Sequence, residues 1–252
     1  MNPQPSTCRL AASRLLLRLL LSAGLALPAA AAPPTGDARG AELAALLRTA
    51  RPAEATTLTA QMRHRPARGA RVVTPLRIAT RPAADGWTVT YEPAAGAAHR
   101  VRFDGAAPPR YERLVGGATV PVGAETPLPG SDFFLGDLGL DFLFWPEQRV
   151  LRRELRRSRW CEVLESTAPP GARLPYARVV TWVDDETGGF IRAEAYDAGG
   201  RRWKVFAPGG IRRNAARDGY ELKDMEISDV LADSFTVLEF DRAAAVPAGG
   251  PP

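Results

Sequence analysis

Cysteine, histidine and methionine are scarce here, at two, two and three residues of 252. Cys8 precedes an apolar leader, so Cys161 alone remains in an exported chain, which excludes an intramolecular disulfide. His64 and His99 lie in arginine-rich, strand-like runs without an HxH or HExxH neighbour, and no CxxC is present, which leaves no metal-ligand spacing. Both histidines are expected on exposed strand positions. A GxSxG elbow, an SxxK motif and a glycine-rich phosphate loop are likewise missing, so no nucleophile and base are paired and an enzyme is not expected. Charge of one sign is also short. The formal net charge of +5 includes Arg9, Arg14 and Arg18 of the leader; without them 30 basic residues face 28 acidic ones, or +2, which gives no footprint for nucleic acid.

An uninterrupted apolar run of roughly 20 residues, as a membrane span needs, is absent too, because Arg18 and Pro28 interrupt the leader. The leader has instead the order of a secretory signal: basic Arg9 and Arg14, an apolar stretch over 15–27, and small residues at Ala30 and Ala32. Residues 1–32 are therefore expected to be cleaved. No cysteine stands just after the apolar run to accept a lipid, since Cys8 lies before it, so the mature chain is expected to be soluble in the periplasm. A proline- and glycine-rich linker over 33–40, one domain over 41–241 and a tail over 242–252 complete the organisation.

What is present reads mainly as strands. Alternation between turn signals marks 56–65, 72–81, 86–92, 99–103 and 111–115, and GWTVTYE places Trp87, Val89 and Tyr91 on one face of a half-buried antiparallel strand. Further runs follow over 150–207, then 220–228 and 234–241, about eleven strand candidates in all. Two helices stand out. One starts at Asp37 or Gly40 and ends before Pro52, with Leu43, Leu46 and Leu47 on its apolar side. The other is expected over 131–145, where Phe133, Phe134, Leu138, Phe142 and Trp145 recur at near-helical spacing until Pro146, with Asp137 and Asp141 on its polar side. The segment 116–129 reads as an irregular crossing. Asp184, Asp185 and Glu186 read as a solvated turn, and Cys161 as a buried small hydrophobe.

The ordered texts GSDF, CEVLES and YARVVTWVDDETGGFIRAEAYDAGGRRWKVF resemble the outer membrane lipoprotein-sorting (LolA-like) family. The resemblance spans residues 40–241 and is clearest over 130–207. It implies a mainly β (α+β) fold, a strongly curved antiparallel half-barrel covered by two helices, with a hydrophobic cavity for acyl chains and no cofactor. On that basis Trp87, Tyr91, Phe103, Phe133, Phe134, Leu138, Phe142, Trp145, Val163, Val180, Trp182, Trp203 and Met225 are the candidate cavity or lid residues. Arg152, Arg153, Arg156, Arg157 and Arg159 are the candidate contacts to a head group or partner; as a solvated strand edge they would instead discourage edge pairing. Lipoprotein acyl chains or another lipid are the implied ligand, with an envelope protein as partner, no nucleic acid, and a monomeric chain. The rival function is a periplasmic protein-interaction or envelope-stress sensor domain on the same fold.

Overall fold

The computed structural model describes residues 36–49, 51–52, 54–213 and 220–241. The leader and tail expected from the sequence lie outside the described residues. Runs of β-branched and aromatic residues between turn signals pair antiparallel throughout. From the N-terminal side come β1 (Thr56–Arg65), β2 (Val72–Ala83), β3 (Gly86–Pro93), β4 (Ala98–Phe103), β5 (Arg110–Val115) and β6 (Ala118–Val122). Then come β7 (Glu147–Arg156), β8 (Arg159–Thr167), β9 (Arg178–Asp184), β10 (Phe190–Tyr196) and β11 (Arg202–Pro208). A small pair, β12 (Ile211–Arg213) and β13 (Tyr220–Leu222), precedes β14 (Asp224–Asp229) and β15 (Ser234–Phe240).

Thirteen of these strands form one sheet, in the order β6-β5-β4-β3-β2-β1-β15-β14-β11-β10-β9-β8-β7. The half-barrel expectation holds: the sheet is open, with β6 and β7 as its two edges. The strand count is higher than the sequence reading because β6 lies inside the expected crossing segment, β12 falls between the expected runs, and the single run 220–228 is divided between β13 and β14. Val115, Val120 and the other outward residues near β6 stay exposed, so that strand has no one-sided apolar pattern to announce it.

This strand order dictates the cover. β6 and β7 follow one another in the chain yet sit at opposite edges, so residues 123–146 must cross the whole sheet. The segment is apolar, and it therefore crosses on the face where apolar side chains gather. Leu128, Phe133, Leu135, Phe142 and Leu143 are each at most 2% exposed there and pack against Met62, Leu76, Val101, Leu164, Phe206, Ile227 and Leu238 of the sheet.

The segment is not the continuous helix expected over 131–145. It forms a turn at 128–133, a four-residue helix α2 (Leu135–Leu138), and a 3-10 turn (Asp141–Phe144). Leu140, at φ 50°, breaks the run between them. Two close approaches lie just before the break. A Cβ on Gly136 would overlap the Leu174 side chain, and one on Gly139 would press on the Tyr111 ring, so the backbone itself lies in packing contact. A segment buried on nearly all sides has apolar residues on every side, and their spacing no longer reports a helix.

The first helix forms as expected, as α1 (Gly36–Arg48), and Leu43, Ala44 and Leu47 are buried in the same core. Leu46 differs from the expectation: it is 46% exposed. The helix rests on β7 and the 3-10 turn, where Gly40 abuts the Gln148 backbone so closely that any side chain would force the helix off the strand. Arg39 forms an ion pair with Glu162 of β8, and the Arg48 guanidinium lies 5.0 Å from the centre of the Phe144 ring.

Candidate functional site

The candidate site is the covered concave face. Tyr91, Phe133, Phe142 and Trp145 are buried in its core, and Phe103, Phe134, Leu138, Trp203 and Met225 pack partly buried against the same cluster. Trp87 stacks on Phe103 at 4.4 Å between ring centres, as their paired positions on β3 and β4 require. Phe142 meets Phe206 of β11 edge-to-face at 5.8 Å, and Phe134 meets Trp203 in the same way at 6.2 Å.

Val163, Val180 and Trp182 are not brought to this face. Val163 and Trp182 are cross-strand partners, and with Cys161 they form a separate buried cluster on the opposite face of β7 to β10. Strand period alone leaves open which of the two alternating sets points inward; Val179 and Val183 took that side. Pairing with neighbours assigns the face, and one strand read alone could not.

Cys161 is buried, as expected. Burial first, then the carboxylates of Asp184 and Asp185, push its thiol pKa up. Native-state labelling with a maleimide at neutral pH is expected to be slow compared with the unfolded chain; labelling at the unfolded rate would mean that the thiol is open to solvent.

The arginine cluster divides. Arg152 and Arg156 point to the outer face, whereas Arg153 pairs with Asp185 at 2.5 Å and lies 4.9 Å from the centre of the Trp160 ring. Arg157 takes the turn between β7 and β8 at φ 48°. Arg159 pairs with Asp184 at 2.5 Å. Since Asp184 is 2% exposed and also accepts from Thr187 at 2.7 Å, the expected solvated turn is in fact anchored at its first residue. No group of three potential metal ligands converges among the described residues.

Sequence reasoning missed the polar anchors of the covering segment. Asp137 and Asp141 are 3% and 2% exposed, and so do not form a solvated helix face. The Asp137 carboxylate accepts from the Phe134 N–H at 2.8 Å and the Tyr176 hydroxyl at 2.8 Å, and lies 3.5 Å from the Lys204 ammonium. Lys204, itself 2% exposed, also donates to the Asp132 carbonyl at 2.6 Å and sits 3.3 Å from the centre of the Phe134 ring. Burial pushes the Asp137 pKa up and the Lys204 pKa down, each opposed by the charge of the other.

Three further anchors hold the rest of the segment. Asp141 accepts from the Tyr111 hydroxyl at 2.9 Å and forms an ion pair with Arg173. Gln148 donates to the carbonyls of Phe142 and Trp145 at 3.0 and 2.9 Å, while its own carbonyl accepts from Ser166 at 2.7 Å. At the tip, Asp132 accepts from Ser234 at 2.6 Å and Thr236 at 2.7 Å.

The histidines also depart from the exposed positions expected of them. His64 is partly buried, 3.3 Å from the Asp132 carboxylate. His99 is 3% exposed with Nδ1 unpartnered, and burial, then Arg113, lower its pKa. The signal that could have found the polar anchors is weak: a lysine flanked by Trp203 and Val205 inside an apolar strand.

A family model described as "Uncharacterized protein" matches residues 121–246, half of the chain. The chain belongs to that family. No curated protein matches the sequence. Among solved structures, a DUF1329 family protein from Desulfovibrio piger superposes with a TM-score of 0.67 at 18% identity, over 86% of this chain and 96% of its own. A domain assigned as an outer membrane lipoprotein-sorting protein, from Vibrio parahaemolyticus, gives 0.67 at 15% identity, over 83% and 95%. A LolA superfamily protein from Nitrosomonas europaea gives 0.59 at 17% identity, over 85% and 96%. The fold is LolA-like. In this LolA-like half-barrel the cover is the crossing segment with α1 beside it, and the apolar face beneath is closed by Phe133 and Phe142.

Proposed function

We propose that this chain is a periplasmic carrier that holds acyl chains, or another hydrophobic ligand, on the concave face of its half-barrel without covalent chemistry. In this reading residues 1–32 direct export and are removed, and residues 41–241 act as one monomeric domain. The observation that carries the reading is an open sheet whose apolar face is covered by a loop-rich segment and not by closure of the sheet. Such a cover can exchange protein surface for ligand surface with little net change in buried apolar area. The likeness to a lipoprotein-sorting domain and a LolA superfamily protein supports the same class of ligand. Among the described residues no helix is long and apolar enough to cross a membrane.

One observation favours the rival, a protein-interaction or sensor domain: the concave face is filled by the chain's own side chains. Delipidated protein titrated with a fluorescent fatty acid separates the two. Saturable uptake with a blue-shifted emission is expected. Emission unchanged from buffer would leave a filled, dry interior and turn the assignment to the rival.

A further inference from the structure

We propose that the outer face of the sheet carries a second site, a cleft that binds a phosphate-bearing anion. The cleft has a volume of about 460 Å³ and is walled by β7, β9, β10 and β11. It lies on the face opposite the covered core, and so is separate from the carrier site proposed above.

Five arginines and two glutamates line it, a formal excess of three positive charges. The glutamates act as fixed posts. Glu194, with its side chain 8% exposed, accepts from Arg192 at 2.5 Å, Arg202 at 3.5 Å and the Tyr196 hydroxyl at 2.6 Å. Glu154 accepts from Arg152 at 2.6 Å and from the Trp182 indole, with Arg156 at 3.9 Å. Two guanidiniums are also braced on rings, Arg178 at 3.9 Å from the centre of Tyr196 and Arg156 at 4.5 Å from that of Trp182.

Each post thus holds two arginines at once, and a guanidinium has five N–H donors, so donors remain after the glutamates are satisfied. Gathering five like charges costs free energy that these two carboxylates, together with Glu165 at 3.2 Å from Arg178, offset only in part, and an incoming dianion would offset the remainder. Arginines approaching from four strands suit the tetrahedral oxygens of phosphate, which accept paired N–H donors from several directions.

The test is a calorimetric titration of the full chain at low ionic strength with inorganic pyrophosphate, and in parallel with poly-glutamate. Saturable pyrophosphate binding that weakens with added salt is expected. Arg178→Gln and Arg202→Gln, at side chains 36% and 47% exposed and so expected to fold, should each weaken it roughly tenfold, the loss of one charge-assisted contact. Arg77→Gln, in an exposed pair with Glu92 on the distant strands β2 and β3, should bind like the parent.

Flotation with phosphatidylcholine vesicles, with and without phosphatidic acid, distinguishes the source. Flotation only with phosphatidic acid, lost in Arg202→Gln, assigns a lipid head group, and pyrophosphate binding without flotation assigns a soluble phosphate ester. The proposal is overturned by no saturable pyrophosphate binding, by parent-like binding in both arginine variants, or by poly-glutamate binding more tightly than pyrophosphate.

Discussion

Lys204→Met is expected to lower the free energy of unfolding by about 3 kcal/mol at neutral pH, the usual scale for removing one partner of a buried pair. The ammonium is what neutralises Asp137, whose side chain is 1% exposed, and it ties β11 to the covering segment through the Asp132 carbonyl. Without it the carboxylate keeps only the Phe134 N–H and the Tyr176 hydroxyl. The loss is expected to depend on pH. Burial already raises the Asp137 pKa, and removing the cation raises it further, so folded and unfolded chains differ most when the acid must ionise. A group whose pKa is raised in the folded state contributes stability below its unfolded pKa and loses it as pH rises. The deficit of Lys204→Met should therefore shrink as pH falls, and Asp137→Asn in the same background should recover most of it. Urea midpoints measured across pH check this; a Lys204→Met midpoint equal to that of the parent at neutral pH would mean that the pair holds nothing.

The same anchors revise the physical picture of the cover. Apolar contacts alone would be non-directional, but three carboxylates and a glutamine fix it at named points. Admission of a ligand must therefore break directional contacts, and Lys204→Met is expected to speed fatty-acid uptake while lowering stability.

Phe142→Asp is expected to abolish most fatty-acid uptake. Phe142 is 1% exposed between Trp145 and Phe206, and an aspartate there puts a charge among aromatic rings, at a cost of several kcal/mol. Phe142→Leu keeps an apolar side chain and should retain uptake, which separates loss of the apolar surface from loss of bulk. Arg156→Ala should also retain uptake, because Arg156 lies on the outer face. Circular dichroism reports whether each variant is folded. A folded Phe142→Asp that takes up fatty acid like the parent would show that this segment does not cover the ligand site.

What the sequence by itself determined is the part governed by local periodicity and turn chemistry. GWTVTYE set Trp87, Val89 and Tyr91 on one face because alternation is a property of any extended strand, and β3 pairs them with Phe103, Val101 and His99. The bounds of β1 and the start of α1 were legible for the same reason: each has its own apolar pattern next to a breaking signal. Tertiary structure decided what depends on distant partners. Val163, Val180 and Trp182 went to the outer face because the choice between two alternating sets is made by neighbouring strands. Residues 131–145 gave up a continuous helix at Leu140, whose φ of 50° leaves the right-handed region, in a segment packed so closely that Leu174 and Tyr111 leave no room for a side chain at Gly136 and Gly139. Asp137 and Asp141 stand four apart like the polar side of a helix, yet their partners Tyr176, Lys204, Tyr111 and Arg173 lie 30 or more residues away. Only a chain that crosses from one edge of an open sheet to the other brings those charges together, and no spacing within the segment encodes that crossing.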